Sequence, residues 1–170
     1  MGTIRVNGST SGYVELAAPA VAGSTVLTLP ATTGTVAVQG EAYGRSATAT
    51  VATSQTTTST SYTDLATAGP AVTLTTGTKA LVVFNLLDYS SSTGTVYASV
   101  AISGATTLAV SDDWGTRFDS SLANYGATQS RSVLFTGLTA GSNTFTMKYK
   151  VSSVTGTFQA RSIVVIDMGS

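Results

Sequence analysis

The chain of 170 residues carries eight basic and eight acidic side chains, no histidine and no cysteine. A formal charge of zero without a concentrated basic patch speaks against phosphate-neutralising nucleic-acid binding, and the missing His and Cys exclude Ser–His–Asp and Cys–His catalysis, disulfides and zinc sites that need those ligands. No apolar run approaches the ~20 residues of a membrane-spanning helix, and no basic stretch followed by an apolar one marks a secretory leader, so folding in a cytoplasm is expected.

Ser and Thr make up about a third of the residues while charged residues make up only 9%. The polar surface is therefore mostly hydroxyl, and β-branched Thr and Val favour pleated backbone over helix. Residues 1–40 read as an N-terminal extended β arm: "TIRVNG", "GYVELAAP" and "STVLTLP" are short strands, followed by "TTGTVAVQ". Val14, Leu16, Val26, Leu27, Leu29 and Val36 are its alternating apolar side chains and the expected partner-binding residues. Strands so poor in large side chains bury no core alone and must pair with another surface, complete the chain's own sheet or stay disordered. Residues 41–61, with "ATATVATSQTTT", read as a Thr/Ser-rich linker or an edge strand.

Residues 62–170 alternate strands and turns at the spacing of an all-β fold, an antiparallel β-sandwich of jelly-roll-like kind. "KALVVFNLLDY" reads as a strand buried on both faces, and "TVYASVAIS" as its hairpin partner. A further strand at 132–136, a turn at "TAGSN" and the alternation of Phe145, Met147, Tyr149 and Val151 repeat the plan. "GTFQARSIVVIDMG" adds one more buried strand. Lys148 and Lys150, at strand period, read as a solvated face. Arg131 and Arg161 are placed at strand starts, either exposed or bridging subunits through carboxylates such as Asp64 or Asp167.

The segment 109–131 breaks this rhythm, reads as a loop and holds the sole Trp with three of the six aspartates. Asp112, Asp113 and Asp119 are candidate acid and base for glycoside hydrolysis, or plain turn carboxylates. With Ser111 they are also candidate oxygen ligands for calcium, although no EF-hand spacing is present. Trp114, Phe118 and Tyr125 are a candidate platform for sugar rings, or a plug and interface anchor. No catalytic residue, cofactor or resident metal is expected, and the chain is not expected to be an enzyme.

The stretch "GSTSGYVELAAPAVAGSTVLTLPATTGTVA" resembles a segment that recurs in structural proteins of tailed bacteriophages. The runs "TTSTSYTDLATAGPAVTLTTGTKALVVF", "LFTGLTAGSNTFTMKYKV" and "RSIVVIDM" are similar to small β-sandwich domains of phage virion proteins, among them fibre tips and capsid decoration proteins. The resemblance implies a non-enzymatic protein of the virion, made in the host cytoplasm. Its expected partner is the major capsid protein or another virion protein, and no nucleic acid or membrane is expected as a partner. An arm followed by one sandwich, with no shaft between, implies a capsid decoration (cement) protein working as a homo-trimer. The alternative is a fibre tip that contacts host surface polysaccharide through residues 109–131.

Overall fold

The computed structural model describes residues 3–7, 10–17 and 45–169. Among them are eleven strands and one turn of 3-10 helix. The N-terminal unit contains β1 (Thr3–Asn7) and β2 (Tyr13–Ala17), an antiparallel pair with Thr3 opposite Ala17 and Asn7 opposite Tyr13. Among the described residues they form a two-stranded sheet. The loop between them includes Gly12 at φ 76°, a left-handed conformation that costs glycine nothing. These strands coincide with the first two expected from the sequence. Val26, Leu27, Leu29 and Val36 lie outside the described residues, and for Val14 and Leu16 only the backbone of β2 is described.

The second unit is an antiparallel β-sandwich. Its strands are β3 (Ser46–Val51), β4 (Gln55–Thr57), β5 (Ala71–Thr76), β6 (Lys79–Ser90), β7 (Gly94–Gly104), β8 (Thr116–Ser120), β9 (Tyr125–Thr136), β10 (Gly141–Val151) and β11 (Gly156–Asp167). One sheet has the order β5-β10-β7-β8; the other has the order β3-β11-β6-β9, with β4 also on β11. The chain crosses between sheets at every step except β3 to β4 and β7 to β8. Two four-strand paths ordered in this way are the double Greek key of a jelly roll.

Alternation explains the core. Val82, Phe84 and Leu86 of β6 and Phe158, Ile163 and Val165 of β11 face Val96, Ala98, Val100 and Ile102 of β7 and Phe145, Met147, Tyr149 and Val151 of β10, and all are buried. Along each strand every second residue points outward, as the two-residue period requires, except at the irregularity between Gln159 and Ser162 of β11. The Thr-rich stretch adds little apolar bulk but extends the sheet: β3 pairs with β11 from Val51 opposite Arg161 to Ser46 opposite Ile166, and Thr48 donates to the Ile163 carbonyl at 3.1 Å.

Several sequence expectations are corrected. β6 and β7 do not form a hairpin, because the three residues 91–93 carry the chain from one sheet to the other. Their apolar faces are then buried against each other across the sandwich instead of side by side. β6 is also not buried on both faces: Leu81, Val83, Leu87 and Tyr89 are half-exposed and Asn85 is exposed. The segment 109–131 is not one loop. It contains the 3-10 turn Asp112–Trp114, all of β8 and the first half of β9. β9 is more than twice as long as expected, since its first half carries Gly, Ala, Thr, Gln and Ser on an edge that needs little apolar bulk. Arg131 and Arg161 stand inside β9 and β11 and not at strand starts.

Candidate functional site

The residues singled out between 109 and 131 divide between two places. The first is the outer face of the four-stranded sheet, where register puts Lys150 of β10 opposite Tyr97 of β7, and Tyr97 opposite Arg117 of β8. Long side chains in one cross-strand row touch. Ser111 starts the 3-10 turn: its Oγ accepts from the Asp113 amide at 3.2 Å and bonds Asp113 Oδ2 at 2.9 Å. That turn sets Asp112 over the row, where it accepts from Tyr62 Oη at 2.7 Å and from Lys150 Nζ at 2.8 Å. Lys150 Nζ lies 4.7 Å from the Tyr62 ring centre and 4.6 Å from the Tyr97 ring centre, a cation between two aromatic faces.

Electrostatics follow from those contacts. The hydrogen bonds from Lys150 and Tyr62 hold the Asp112 carboxyl below the usual carboxylate range. Burial, reinforced by the bond to Asp112, pushes the Tyr62 hydroxyl far up, so it stays a donor at every physiological pH. Asp119 accepts from Thr95 Oγ1 at 2.5 Å and pairs with Arg117 Nε at 2.9 Å, and these bonds lower its pKa. Lys148 pairs with Asp64 at 2.7 Å. The solvated Lys face expected at 148 and 150 is thus tied down by carboxylates.

The second place is the open side of the sandwich. Trp114 Nε1 donates to the Val100 carbonyl at 2.8 Å, and its ring meets Phe135 edge-on at 5.7 Å. Half-buried in this way, Trp114 closes the gap between the sheets. Arg131 Nη2 donates to the Asp113 carbonyl at 2.8 Å and ties the same turn to β9. Phe118 and Tyr125 stack at a tilt with centres 5.9 Å apart; Tyr125 is the exposed member.

The candidate ligands Asp112, Asp113 and Asp119 do not form a cluster: among the described residues, no three His, Cys, Asp or Glu side chains are grouped so as to hold a metal ion. Asp64 is taken by Lys148, and Asp167 Oδ1 accepts from the Gly77 and Gly169 amides. Neither carboxylate is bonded to Arg131 or Arg161. Arg161, expected at the surface, is fully buried and donates to Gly69, Thr53 and Gln55. The physical reason is the irregularity between Gln159 and Ser162, with Ala160 at φ 47°, which turns Arg161 inward.

Tyr62 and Tyr97 were missed. Strand alternation puts Tyr97 on the outward face of β7, but the partner set of Lys150 is assembled from segments far apart in sequence, and no local pattern records it. No protein-family model matches the chain, and no curated protein sequence matches it significantly.

Proposed function

We propose that the chain is a non-enzymatic structural protein of a tailed-bacteriophage virion, a decoration (cement) protein that binds the capsid surface through its N-terminal segment. The observation that carries this reading is the β1–β2 pair. Among the described residues β1 and β2, of five residues each, pair only with each other, and a two-stranded hairpin by itself is marginal in water, so in this reading it gains its stability from a further surface. Backbone hydrogen bonds to a neighbouring chain supply affinity, and alternate side chains supply register. The major capsid protein is the proposed partner, and the virion the proposed location. Repetition of a weak contact through several copies raises avidity by orders of magnitude.

Further support comes from the sequence resemblance and from a neutral, hydroxyl-rich surface that offers little charge repulsion to close neighbours. The carboxylates Asp112 and Asp119 are held in ion pairs and hydrogen bonds, a structural use of groups also considered for sugar chemistry.

Co-sedimentation with capsid shells lacking the protein, run beside co-sedimentation with host cells, tests the proposal. Saturable binding to shells that is lost on removing residues 1–40 is the expected result. Binding to cells and not to shells overturns it in favour of a fibre tip that reads host polysaccharide, with exposed Tyr125 as the first residue to change.

A further inference from the structure

We infer that the free edge of β9 pairs antiparallel with β9 of a second copy, about a two-fold axis through Ser130. β9 bonds β6 along an unbroken register, from Tyr125 opposite Ser90 to Thr136 opposite Lys79. Among the described residues it ends its sheet, and its other side carries a row of amides and carbonyls with no strand beside them. Among the described residues, no turn or loop backbone bonds to it. The outer edges β3, β5 and β8 are no longer than six residues, whereas β9 has twelve. Proteins usually blunt so long an edge with several charges, proline, a bulge or a covering loop. β9 has no proline and no bulge, and its one charge, Arg131, stands on the Phe84 side of the strand and donates to the Asp113 carbonyl, leaving the outward row Thr128, Ser130, Ser132 and Leu134 uncharged.

The occupant follows from the side chains. A two-fold pair that continues the sheet must keep outward residues facing outward residues, so registers differ by whole two-residue steps. With Ser130 on the axis, Arg131 faces Gln129 of the partner subunit, a donor against an amide carbonyl. Thr128 faces Ser132 of the partner subunit, hydroxyl to hydroxyl, and Val133 faces Ala127 of the partner subunit. Leu134, the most exposed residue of large apolar type on β9 after Tyr125, faces Gly126 of the partner subunit. Gly126 is the position where a Cβ would come within 2.3 Å of the Tyr89 ring, so that ring lies across it. Leu134 therefore meets an aromatic face with Leu81 already at its other side. Moving the axis to Arg131 sets the two arginines against each other, and moving it to Gln129 sends Leu134 past the strand end. One register satisfies both the charge and the shape.

The paired sheet runs β3-β11-β6-β9 and back through the same strands of the second copy. This unit is two-fold, unlike the trimer expected from the resemblance, and it does not depend on the N-terminal segment or on capsid binding.

Ser130→Cys in the full chain tests it, because the native sequence has no cysteine. Residues opposite each other across an antiparallel pair have Cα atoms about 4.5–5.5 Å apart, within disulfide reach. The expected result is a disulfide-linked dimer under mild oxidation, with Thr73→Cys on the other sheet remaining unlinked. Sedimentation of the unmodified chain is expected to show a concentration-dependent dimer. Ser130→Asp, which sets two carboxylates on the axis, is expected to return it to monomer with an unchanged β-type circular dichroism spectrum. A monomer at all concentrations, or an oligomer that Ser130→Cys does not link and Ser130→Asp does not dissociate, overturns the inference.

Discussion

Arg161 and Tyr149 donate to the same acceptor, the Gly69 carbonyl oxygen, at 3.1 and 2.9 Å, with the guanidinium 5.3 Å from the centre of the Tyr149 ring. Gly69 is fixed at φ +84°, where a Cβ would sit 2.6 Å from the Ala71 nitrogen. The buried cation thus fastens the segment before β5 to β11, and among the described residues its partners are carbonyl oxygens, not carboxylates.

That arrangement separates two costs. A buried charge is expensive to desolvate, and apolar replacement of comparable volume is often neutral. Gly69 keeps Tyr149 as donor, and Gln55 Oε1 keeps the Thr67 amide at 3.2 Å. Arg161→Met is therefore expected to change stability by less than about 1 kcal/mol. Arg161→Ala, which leaves a cavity where the aliphatic stem was, is expected to cost about 3 kcal/mol. Urea unfolding midpoints check both; a Met variant as unstable as the Ala variant would show that the charge itself is required.

Asp88 is a second buried ionisable group, facing inward from β6 with neither carboxyl oxygen holding a hydrogen-bond partner among the described residues. Burial pushes its pKa up to about 7, an effect that the nearby amides of Ala127 and Asp88 itself only partly offset. The folded protein therefore holds a proton that the unfolded chain has already released between pH ~4 and ~7. Stability from this group is fully present below pH ~4, falls as pH rises to ~7 and is flat above it. Asp88→Asn is expected to remove that fall and to raise the melting temperature at pH 8 relative to the parent. Thermal melts of both proteins from pH 4 to 8 decide this; parallel curves would refute it.

Most of the sandwich was legible because strict alternation survives wherever one face is fully buried, as along Phe145, Met147, Tyr149 and Val151. Pairing was not legible. The strand pattern of β6 and β7 is the same whether they lie side by side or face each other across the core. β8 and the first half of β9 escaped notice because Thr128, Ser130 and Ser132 face water and Ala127 and Gln129 are only half-buried. The candidate site was half legible: Asp112, Trp114 and Lys150 stood out as residue types, while Tyr62 became visible only once its hydroxyl met Asp112.

Trp114 tests how that site is used. Its Nε1 bond to Val100 and its edge contact with Phe135 make it a packing residue of the open side of the sandwich. Trp114→Phe keeps a ring against Phe135 and loses one hydrogen bond, an expected cost of about 1 kcal/mol. Trp114→Ala is expected to cost about 2–3 kcal/mol, less than for a fully buried ring. Shell binding by the folded Phe variant should equal that of the parent. Loss of host-cell binding by that variant at unchanged stability would instead assign Trp114 to a ligand.

The Asp112–Lys150 pair is expected to be weakly coupled despite its 2.8 Å contact, because Asp112 is 56% exposed and solvent screens it. A double-mutant cycle with Asp112→Asn and Lys150→Met should give about 0.5–1 kcal/mol, falling with added salt. The folded carboxyl is held below its ordinary pKa of 3.8, so the contribution is present above that value and is lost as pH falls through the lowered one. Melting temperatures of the parent and Asp112→Asn should therefore differ at pH 7 and converge toward pH 2. Tyr62→Phe removes the second donor, and it should raise the pH at which convergence begins. A gap that persists in acid would mean that Asp112 acts through the geometry of the 3-10 turn and not through its charge.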